Sequence, residues 1–486
     1  MRSLVLGGGL GGLSAAIHLA QRGHEVTVLE RNDHAGGKCD RHEEDGFHFD
    51  IGPSVLTLPF VLDELFAAAG RRREDFLSLH PVEPGCTYFF ADGTRFDAPG
   101  SAEAMEEAIA RTFPGEERGF QRFWKHAERL WKVSGPAFLF HPPGPRALRD
   151  IPYPRAVRAL PDLLPVPMGR RLRHFFRDPR LVQLFSRFAT YNGSDPARTP
   201  GTFNVIAYAE LAFGSWRCEG GMRALVDALV QLAADCGVEF VYNCEAERIL
   251  FDRAGRVRGV RTAAGEEIAA DRVVCNQDAV SARNGPLLAE HPRARRLRVP
   301  AGEPSSSGFV LLVAHEGTRD DLSCHNVFFP ADYGREFREL FRSPQPLGDP
   351  TLYLSRPSSL DPALAPAGAE GWFVLVNAPS LAGFQAWKEE DYAGFLLERL
   401  QERAGLDPSR VRWHRAHGPS LYRERYRSWE GTLYGLSSNT LRQAFLRPAN
   451  RLPAAPGLSF AGGSSHPGGG IPLVLLSGRF AAEAVA

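Results

Sequence analysis

The sequence predicts a doubly wound α/β unit into which a mixed α+β domain is inserted. Three observations carry this expectation. A glycine-rich turn joins a short apolar strand to an Ala/Leu-rich helix near the start of the chain. A second glycine-rich loop joins a strand to a helix near its far end. Between them lie long helical patterns, aromatic pairs and a Pro/Arg-rich stretch of different texture.

The first strand is expected over residues 3–6, the first helix over 11–22 and a second strand over 25–29. Gly7, Gly9 and Gly12 form G-x-G-x-x-G between strand and helix, so the motif stands in the βαβ context that gives it meaning. Gly7 allows the tight turn, Gly9 leaves the backbone open to a pyrophosphate, and Gly12 lets helix and sheet approach closely. The helix N-terminus offers N–H groups and partial positive charge to phosphate. Glu30 stands 18 residues beyond Gly12, where a carboxylate meets ribose hydroxyls and repels a 2′-phosphate. FAD or NAD is thereby favoured over NADP, and the chemistry class is redox.

Gly36 and Gly37 make a further turn ahead of Lys38, and Phe47, Phe49 and Ile51 alternate as a strand that ends at Gly52-Pro53. A helix over 63–69 closes at Gly70. Short strands at 86–90 and 95–96 lead into helices at 102–112 and 116–133. A helix follows Gly220-Gly221, then strands with a hairpin turn from Asp252 to Gly255. Strands at 308–314, 351–355 and 372–377 and a helix at 392–404 come next. The expected nucleotide-binding domain is discontinuous, built from 1–80, 215–285 and 430–486. The substrate domain takes 81–214 and 286–429, with a membrane-contact region near 140–190.

Composition narrows the partners. Lys+Arg and Asp+Glu both number 57, so net charge gives no argument for nucleic acid. The seven cysteines are scattered with no CxxC and no His/Cys ligand spacing, which predicts free thiols in a reducing compartment and no metal site. No signal peptide is read before the first strand. No run reaches the ~18 apolar residues of a spanning helix. The expectation is a cytoplasmic protein associated peripherally with membrane.

Taken together the motifs resemble the bacterial-type phytoene desaturase family of carotenoid desaturases, isomerases and oxygenases, within the amine-oxidase-like superfamily. The resemblance covers essentially the whole chain. It is carried by residues 7–30, by Gly36-Gly37-Lys38, by residues 49–54 (FDIGPS), by Glu219-Gly220-Gly221-Met222, by residues 187–210, and above all by residues 461–472 (AGGSSHPGGGIP). It implies a Rossmann-type FAD-binding domain. It also implies cofactor contacts from Gly7, Gly9, Leu10, Gly11, Gly12, Glu30, Arg31, Gly37, Lys38, Gly52, Pro53, Ser54, Gly463, Gly470, Ile471 and Pro472. The loop over 462–470 and the helix after it would bring backbone N–H groups and a helix dipole to the flavin ring.

The implied reaction is two-electron oxidation of a lipophilic acyclic carotenoid, giving a new conjugated C=C, with oxygen or quinone as terminal acceptor. The residues after 472 look more like those of late-pathway 3,4-desaturases. Phytoene desaturation, oxygenation and isomerisation stay open on the same scaffold, and a flavin amine oxidase is the rival from another class. The substrate needs an apolar tunnel, for which Phe175, Phe176, Phe185, Phe188, Tyr191, Phe203, Tyr208, Phe213 and Trp216 are the aromatic candidates, with core packing as the alternative role. Three side chains are candidate acids or bases. Glu210 reads as a buried carboxyl or a solvated helix residue, Glu219 as a catalytic group or the cap of the next helix, His466 as a proton relay or a structural hydrogen bond. The stretch 151–187 carries eight Arg among Leu, Pro and Phe, an interfacial patch or a basic surface helix pair.

Overall fold

The computed structural model describes residues 1–142 and 165–485. A five-stranded parallel sheet runs in the order Leu458–Phe460, Arg272–Cys275, Arg2–Leu6, Glu25–Leu29, Glu239–Val241. Its strands come from widely separated stretches of chain and read as nearly continuous apolar runs (SLVL, VTVL, RVVC), because a parallel sheet is covered on both faces. On one face lie the helices Leu10–Ala20, Met222–Asp235 and Ile471–Val485, which bury Leu13, Ile17, Leu225, Leu229 and Leu475. The other face is covered by a three-stranded antiparallel meander, Ala246–Phe251, Val257–Thr262 and Glu267–Ala269, and by the helix Ala279–Asn284. Asp252 to Gly255 makes the first meander turn, with Gly255 at φ +84°.

A second, mixed sheet of seven strands runs Val411–His417, Ser307–Glu316, Ala369–Ala378, Leu352–Ser355, His325–Phe328, Cys86–Phe89, Arg95–Ala98. Its two long central strands are almost wholly buried and paired along their full length. The helix Glu389–Ala404 covers one face through Leu396 and Leu400. The hairpin Arg41–Glu44/Phe47–Asp50 packs Phe47 and Phe49 on the other, against Val310, Leu312 and Trp413. Beside this sheet a helical cluster, Ala102–Thr112, Glu117–Ser134, Met168–Phe175, Pro179–Ser186 and Val205–Phe213, shares a phenylalanine core of Phe120, Phe123, Phe176 and Phe185. The strand Leu79–Pro81 pairs with Trp216–Cys218 where the two halves adjoin.

Most expected elements lie within two or three residues of their observed ends. The helix expected over 63–69 begins earlier, at Pro59, because a proline without an N–H suits the first helical turn. Two strands of the mixed sheet were not expected. Val411–His417 is a half-exposed edge whose Arg and His residues mask its alternation, and His325–Phe328 is four residues long. All seven cysteines are free. Among the described residues no helix is long and apolar enough to cross a membrane, and no cluster of metal-ligating side chains occurs.

Of the Arg-rich stretch 151–187, residues 151–164 lie outside the described residues. The remainder is a helix pair that buries Met168, Leu172, Phe175, Leu181, Leu184 and Phe185 and exposes Arg170, Arg173 and Arg177. Arg180 is engaged by Asp178 and Asp92, and Arg187 is buried.

Candidate functional site

A single cavity of about 650 Å³ runs from the glycine turn after the first strand to the face of the mixed sheet. Its volume falls within the usual range of cofactor and ligand sites. At one end the first helix begins at Gly9 with no side-chain cap, so the N–H groups of its first turn and the positive end of its dipole face the cavity. Gly7 (φ +98°), Gly9, Leu10 and Gly11 line this wall. Gly12 does not. A Cβ there would lie 2.1 Å from the Gly7 carbonyl oxygen, so its role is close packing of helix on turn.

Glu30 is buried at the end of its strand, accepting from the Gly8 N–H at 2.7 Å and the Asn32 N–H at 2.8 Å. Arg31 lies beside it, donating to the Glu424 carbonyl at 2.7 Å. Both line the cavity. Further in, Lys38 donates to the carbonyls of Thr432 (3.2 Å) and Leu433 (2.8 Å). Burial pushes its pKa down to about 8, and Asp278 opposes that shift. Gly37, Gly52, Pro53 and Ser54 continue the wall, with the Ser54 hydroxyl 2.6 Å from that of Tyr353.

The loop over 462–470 closes the opposite side. Gly462, Gly468 and Gly470 hold φ of +108°, +135° and +99°, conformations open to glycine. Gly463, Gly470, Ile471 and Pro472 reach the cavity at the start of the last helix. The two glycine turns touch: a Cβ on Gly11 would lie 3.0 Å from the Gly462 nitrogen.

The structure separates the three acid–base candidates. Glu219 is 66% exposed at its side chain, lies 3.4 Å from the His80 Nε2, and is not part of the cavity wall. Neither reading of it holds, because the helix after Gly221 is capped by Asp50, which accepts from the Met222 N–H at 2.7 Å and the Arg223 N–H at 3.1 Å. Burial pushes the Asp50 carboxyl up to about 6. His466 is buried behind its loop with Nε2 2.9 Å from the His141 carbonyl, and burial drives its pKa down to about 4. The imidazole is turned from the cavity wall, and its Nε2 bond to the His141 carbonyl is the structural one of the two expected roles. Glu210 does line the cavity and accepts from the Tyr191 hydroxyl at 2.8 Å, so it is not a solvated surface residue. Of the nine aromatic candidates, Tyr191 and Phe203 line the cavity. The other seven lie outside its wall, Phe175, Phe176, Phe185 and Phe188 of them in the phenylalanine core.

Several lining residues had no signal in the sequence. Asn276 ends a strand and donates from Nδ2 to the Gly7 carbonyl at 3.3 Å. Tyr434 lies against Gly469, and Arg447 is buried beside it, donating to the Tyr434 carbonyl at 3.2 Å. Burial lowers the Arg447 pKa to about 10. The inner half of the cavity is walled by Val310, Val327, Phe373 and Leu375 of the mixed sheet, with Arg187, Glu210, His325 and Tyr333 beside them.

A dinucleotide fits the outer half of this cavity. Glycine turns that a Cβ would block, an uncapped helix start and a buried carboxylate stand in the order a pyrophosphate and a ribose require. The inner half offers an apolar ligand a continuous wall.

Comparison with known proteins accords with this division. The family model of flavin-containing amine oxidoreductases matches residues 10–486. The chain is 34% identical over 495 residues to the 4,4'-diapolycopene oxygenase of a Methylomonas species, covering 100% of this chain and 98% of that one. It is 32% identical over 493 residues to the 1-hydroxycarotenoid 3,4-desaturase of a Flavobacterium species, covering 100% and 99%. Among solved structures, the cyclohexylamine oxidase of Brevibacterium oxydans shares the fold, with a TM-score of 0.64 at 16% identity over 100% of this chain and 98% of that one.

Proposed function

The chain belongs to the flavin-containing amine oxidoreductase family, in the branch of the carotenoid desaturases and oxygenases, and from that premise we propose that it desaturates an acyclic carotenoid, introducing a 3,4 double bond. FAD is its cofactor. When bound, FAD supplies the two-electron acceptor that no side chain can provide. Hydrogens leave neighbouring carbons of the substrate, one as hydride and one as a proton, and a C=C bond forms between those carbons.

The chain's own residues bind, orient and exclude water. Gly9, Leu10 and Gly11 would take the pyrophosphate on the first helix, and Glu30 the ribose hydroxyls. Gly463 and the start of the last helix at Gly470, Ile471 and Pro472 would flank the flavin ring, with the Lys38 cation stabilising negative charge there. Of the three acid–base candidates Glu210 alone faces the substrate half, and it is positioned to take the proton.

The observation that carries this reading is the union of a nucleotide half and an apolar half in one cavity, which suits hydride transfer from a hydrocarbon better than recognition of a cationic amine. Oxygenation, as in the Methylomonas relative's name, is the second reading. Entry of such a substrate is proposed from membrane. Leu441, Phe445 and Leu446 expose 50%, 39% and 71% of their surface around one short helix, and Ala444 and Phe445 of that helix line the cavity. An apolar mouth of this kind suits a lipid surface.

The test is anaerobic incubation of FAD-loaded protein with liposomes carrying lycopene or a 1-hydroxylated lycopene. Flavin bleaching with a red-shifted product two hydrogens lighter is the expected result. Mass gain from oxygen under air only would favour the oxygenase reading, and bleaching by amines alone would overturn the proposal.

A further inference from the structure

Three side chains of the cavity wall form an unbroken hydrogen-bonded chain. The Ser54 hydroxyl lies 2.6 Å from that of Tyr353, which lies 2.8 Å from His325 Nδ1. All three line the cavity, and Ser54 and Tyr353 are only half-buried. Ser54 follows Gly52-Pro53 on the nucleotide side, and His325 stands in the inner half beside Arg187 and Glu210. The chain therefore joins the two halves. Among the described residues the polar atoms of these three side chains make no bond to the main chain. Their other neighbours are Ser355 Oγ, 3.3 Å from His325 Nδ1, and Cys324 Sγ, 3.8 Å from its Nε2. Most side-chain hydrogen bonds in folded proteins go to backbone or water, so side chains bonded in series along a cavity serve more than local structure.

Each member can both give and accept a proton. Hydroxyls do so by rotating, and a neutral imidazole does so with one protonated and one bare nitrogen. Burial and the Arg187 cation hold the His325 pKa down to about 4, so it rests neutral and an added proton does not stay. The chain then has two directions. In one, His325 donates from Nδ1 to Tyr353, Tyr353 donates to Ser54, and the Ser54 O–H is free for an acceptor atom in the nucleotide half. In the other, every bond is reversed and the imidazole carries its proton on Nε2. The apolar wall of Val327 and Phe373 next to it offers a proton no other outlet, because a charge is costly where water is excluded.

Resting on the desaturase reading, we propose that His325, Tyr353 and Ser54 form a proton relay that carries the proton lost by the substrate from the inner half of the cavity to the nucleotide half. The proton, first taken by Glu210, enters at His325 Nε2. The Nδ1 proton passes to Tyr353, the Tyr353 proton to Ser54, and the Ser54 proton to the acceptor atom beyond it. Each member gains one hydrogen and gives one up, so the chain keeps no charge. No electrons move along it, since the hydride goes separately to FAD. Arg187 gives the relay its direction, because its charge lies at the inner end and repels the proton from there. Turning the hydroxyls back and returning the imidazole proton to Nδ1 resets the chain.

The test uses the FAD-loaded protein and its Tyr353→Phe and His325→Gln variants. Tyr353→Phe removes the middle oxygen and keeps the ring against Phe373 and His325, so it carries the test if His325→Gln does not fold. With lycopene or a 1-hydroxylated lycopene in liposomes, kcat should fall on the order of 100-fold in each variant, with KM and flavin content unchanged. The solvent deuterium isotope effect on kcat should rise in Tyr353→Phe, because proton transfer becomes the slow step. An unchanged kcat overturns the relay, and so does a fall in kcat with the isotope effect unchanged, which is the mark of a structural role. A second measurement needs no carotenoid. In protein labelled with ¹⁵N-histidine, the His325 signals, assigned by their absence in His325→Gln, should switch from the Nδ1–H to the Nε2–H tautomer when dithionite reduces the flavin, and should not switch in Tyr353→Phe. No switch in the parent, or the same switch without the Tyr353 oxygen, overturns the relay. A switch that depends on Tyr353, without turnover of any carotenoid, supports the relay and overturns the desaturase reading alone.

Discussion

Replacing Gly12 by alanine should weaken FAD binding although Gly12 itself is not part of the cavity wall. The added Cβ would lie 2.1 Å from the Gly7 carbonyl oxygen, 0.9 Å inside the 3.0 Å below which Cβ contacts essentially never fall, with Asn276 Nδ2 at 3.1 Å on its other side. The obstacle is backbone, so no rotamer change relieves it, and either the turn or the helix start must move by about that distance. Overpacking of this kind costs about 1–3 kcal/mol. Gly7, Gly9 and the first helical turn shape the phosphate site, so the strain falls on the bound form, and an FAD affinity lower by roughly 10- to 100-fold is expected. The assay is the flavin-to-protein ratio after gel filtration, with Kd from quenching of flavin fluorescence and circular dichroism as the check on folding. Gly394→Ala is the control. It sits in the helix Glu389–Ala404 with no atom within 4 Å of the added carbon, and should gain about 0.5–1 kcal/mol of stability from helix propensity. A folded Gly12→Ala protein that holds FAD as tightly as the parent would refute the packing argument.

Three further outcomes follow from the same geometry. The Asp50 carboxyl is raised by burial from 3.8 to about 6, so its contribution to stability is full below pH 4 and is lost as pH rises through 6. Asp50→Asn keeps an acceptor for only one of the two N–H groups, which adds a pH-independent cost, but on top of that offset it should gain on the parent by about 2–3 kcal/mol between pH 4 and 7 in denaturant titrations, and a constant difference would show that Asp50 is not desolvated. His466 is neutral across the working range, so His466→Gln should lower the melting temperature while leaving the shape of the pH–rate profile as it was; a profile that loses an inflection near pH 6.5 would restore the proton-relay role. Leu446→Glu should reduce sedimentation with anionic liposomes about 10-fold or more, from lost apolar burial and added like charge, and undiminished binding would exclude this helix as the membrane face.

The parts of the site that were legible in the sequence are those with a local signature. The first glycine turn could be read because strand and helix periodicities flank it, and the loop over 462–470 because a strand and a helix bracket it. Both glycine turns reach the same cavity. What was not legible depends on contacts distant in sequence. Glu219 was a reasonable cap on local grounds, yet Asp50, 172 residues from Met222, takes that place, and nothing near Gly221 announces it. His466 belongs to the right loop, but its side chain turns toward His141, a choice made by packing. Asn276, Tyr434 and Arg447 are isolated residues at strand and loop ends, where no period applies. Arg187 was one of eight arginines in a basic stretch; only its flanking Phe185, Phe188 and Tyr191 hinted that it lies inside.

The contact between the first and last helices has a consequence for the cofactor site. Gly478 lies outside the cavity wall. A Cβ there would nonetheless lie 2.3 Å from the Gly11 carbonyl oxygen, 2.7 Å from the Ser14 Cβ and 2.9 Å from the Ala15 nitrogen. Close approach of the two helices is also fixed by the Ser14 hydroxyl, which donates to the Leu475 carbonyl at 2.7 Å. Gly478→Ala must therefore push the last helix off the first, and the helix that moves carries Ile471 and Pro472 on its cavity end. Flavin loss should then match that of Gly12→Ala, from a residue that touches no part of the ligand. Ser14→Ala gives the graded comparison. It removes the hydrogen bond without adding bulk, should cost about 1 kcal/mol of stability, and should leave the helices in contact and FAD in place. If Gly478→Ala folds and keeps its flavin while Ser14→Ala loses it, the coupling runs through that hydrogen bond and not through the spacing of the helices.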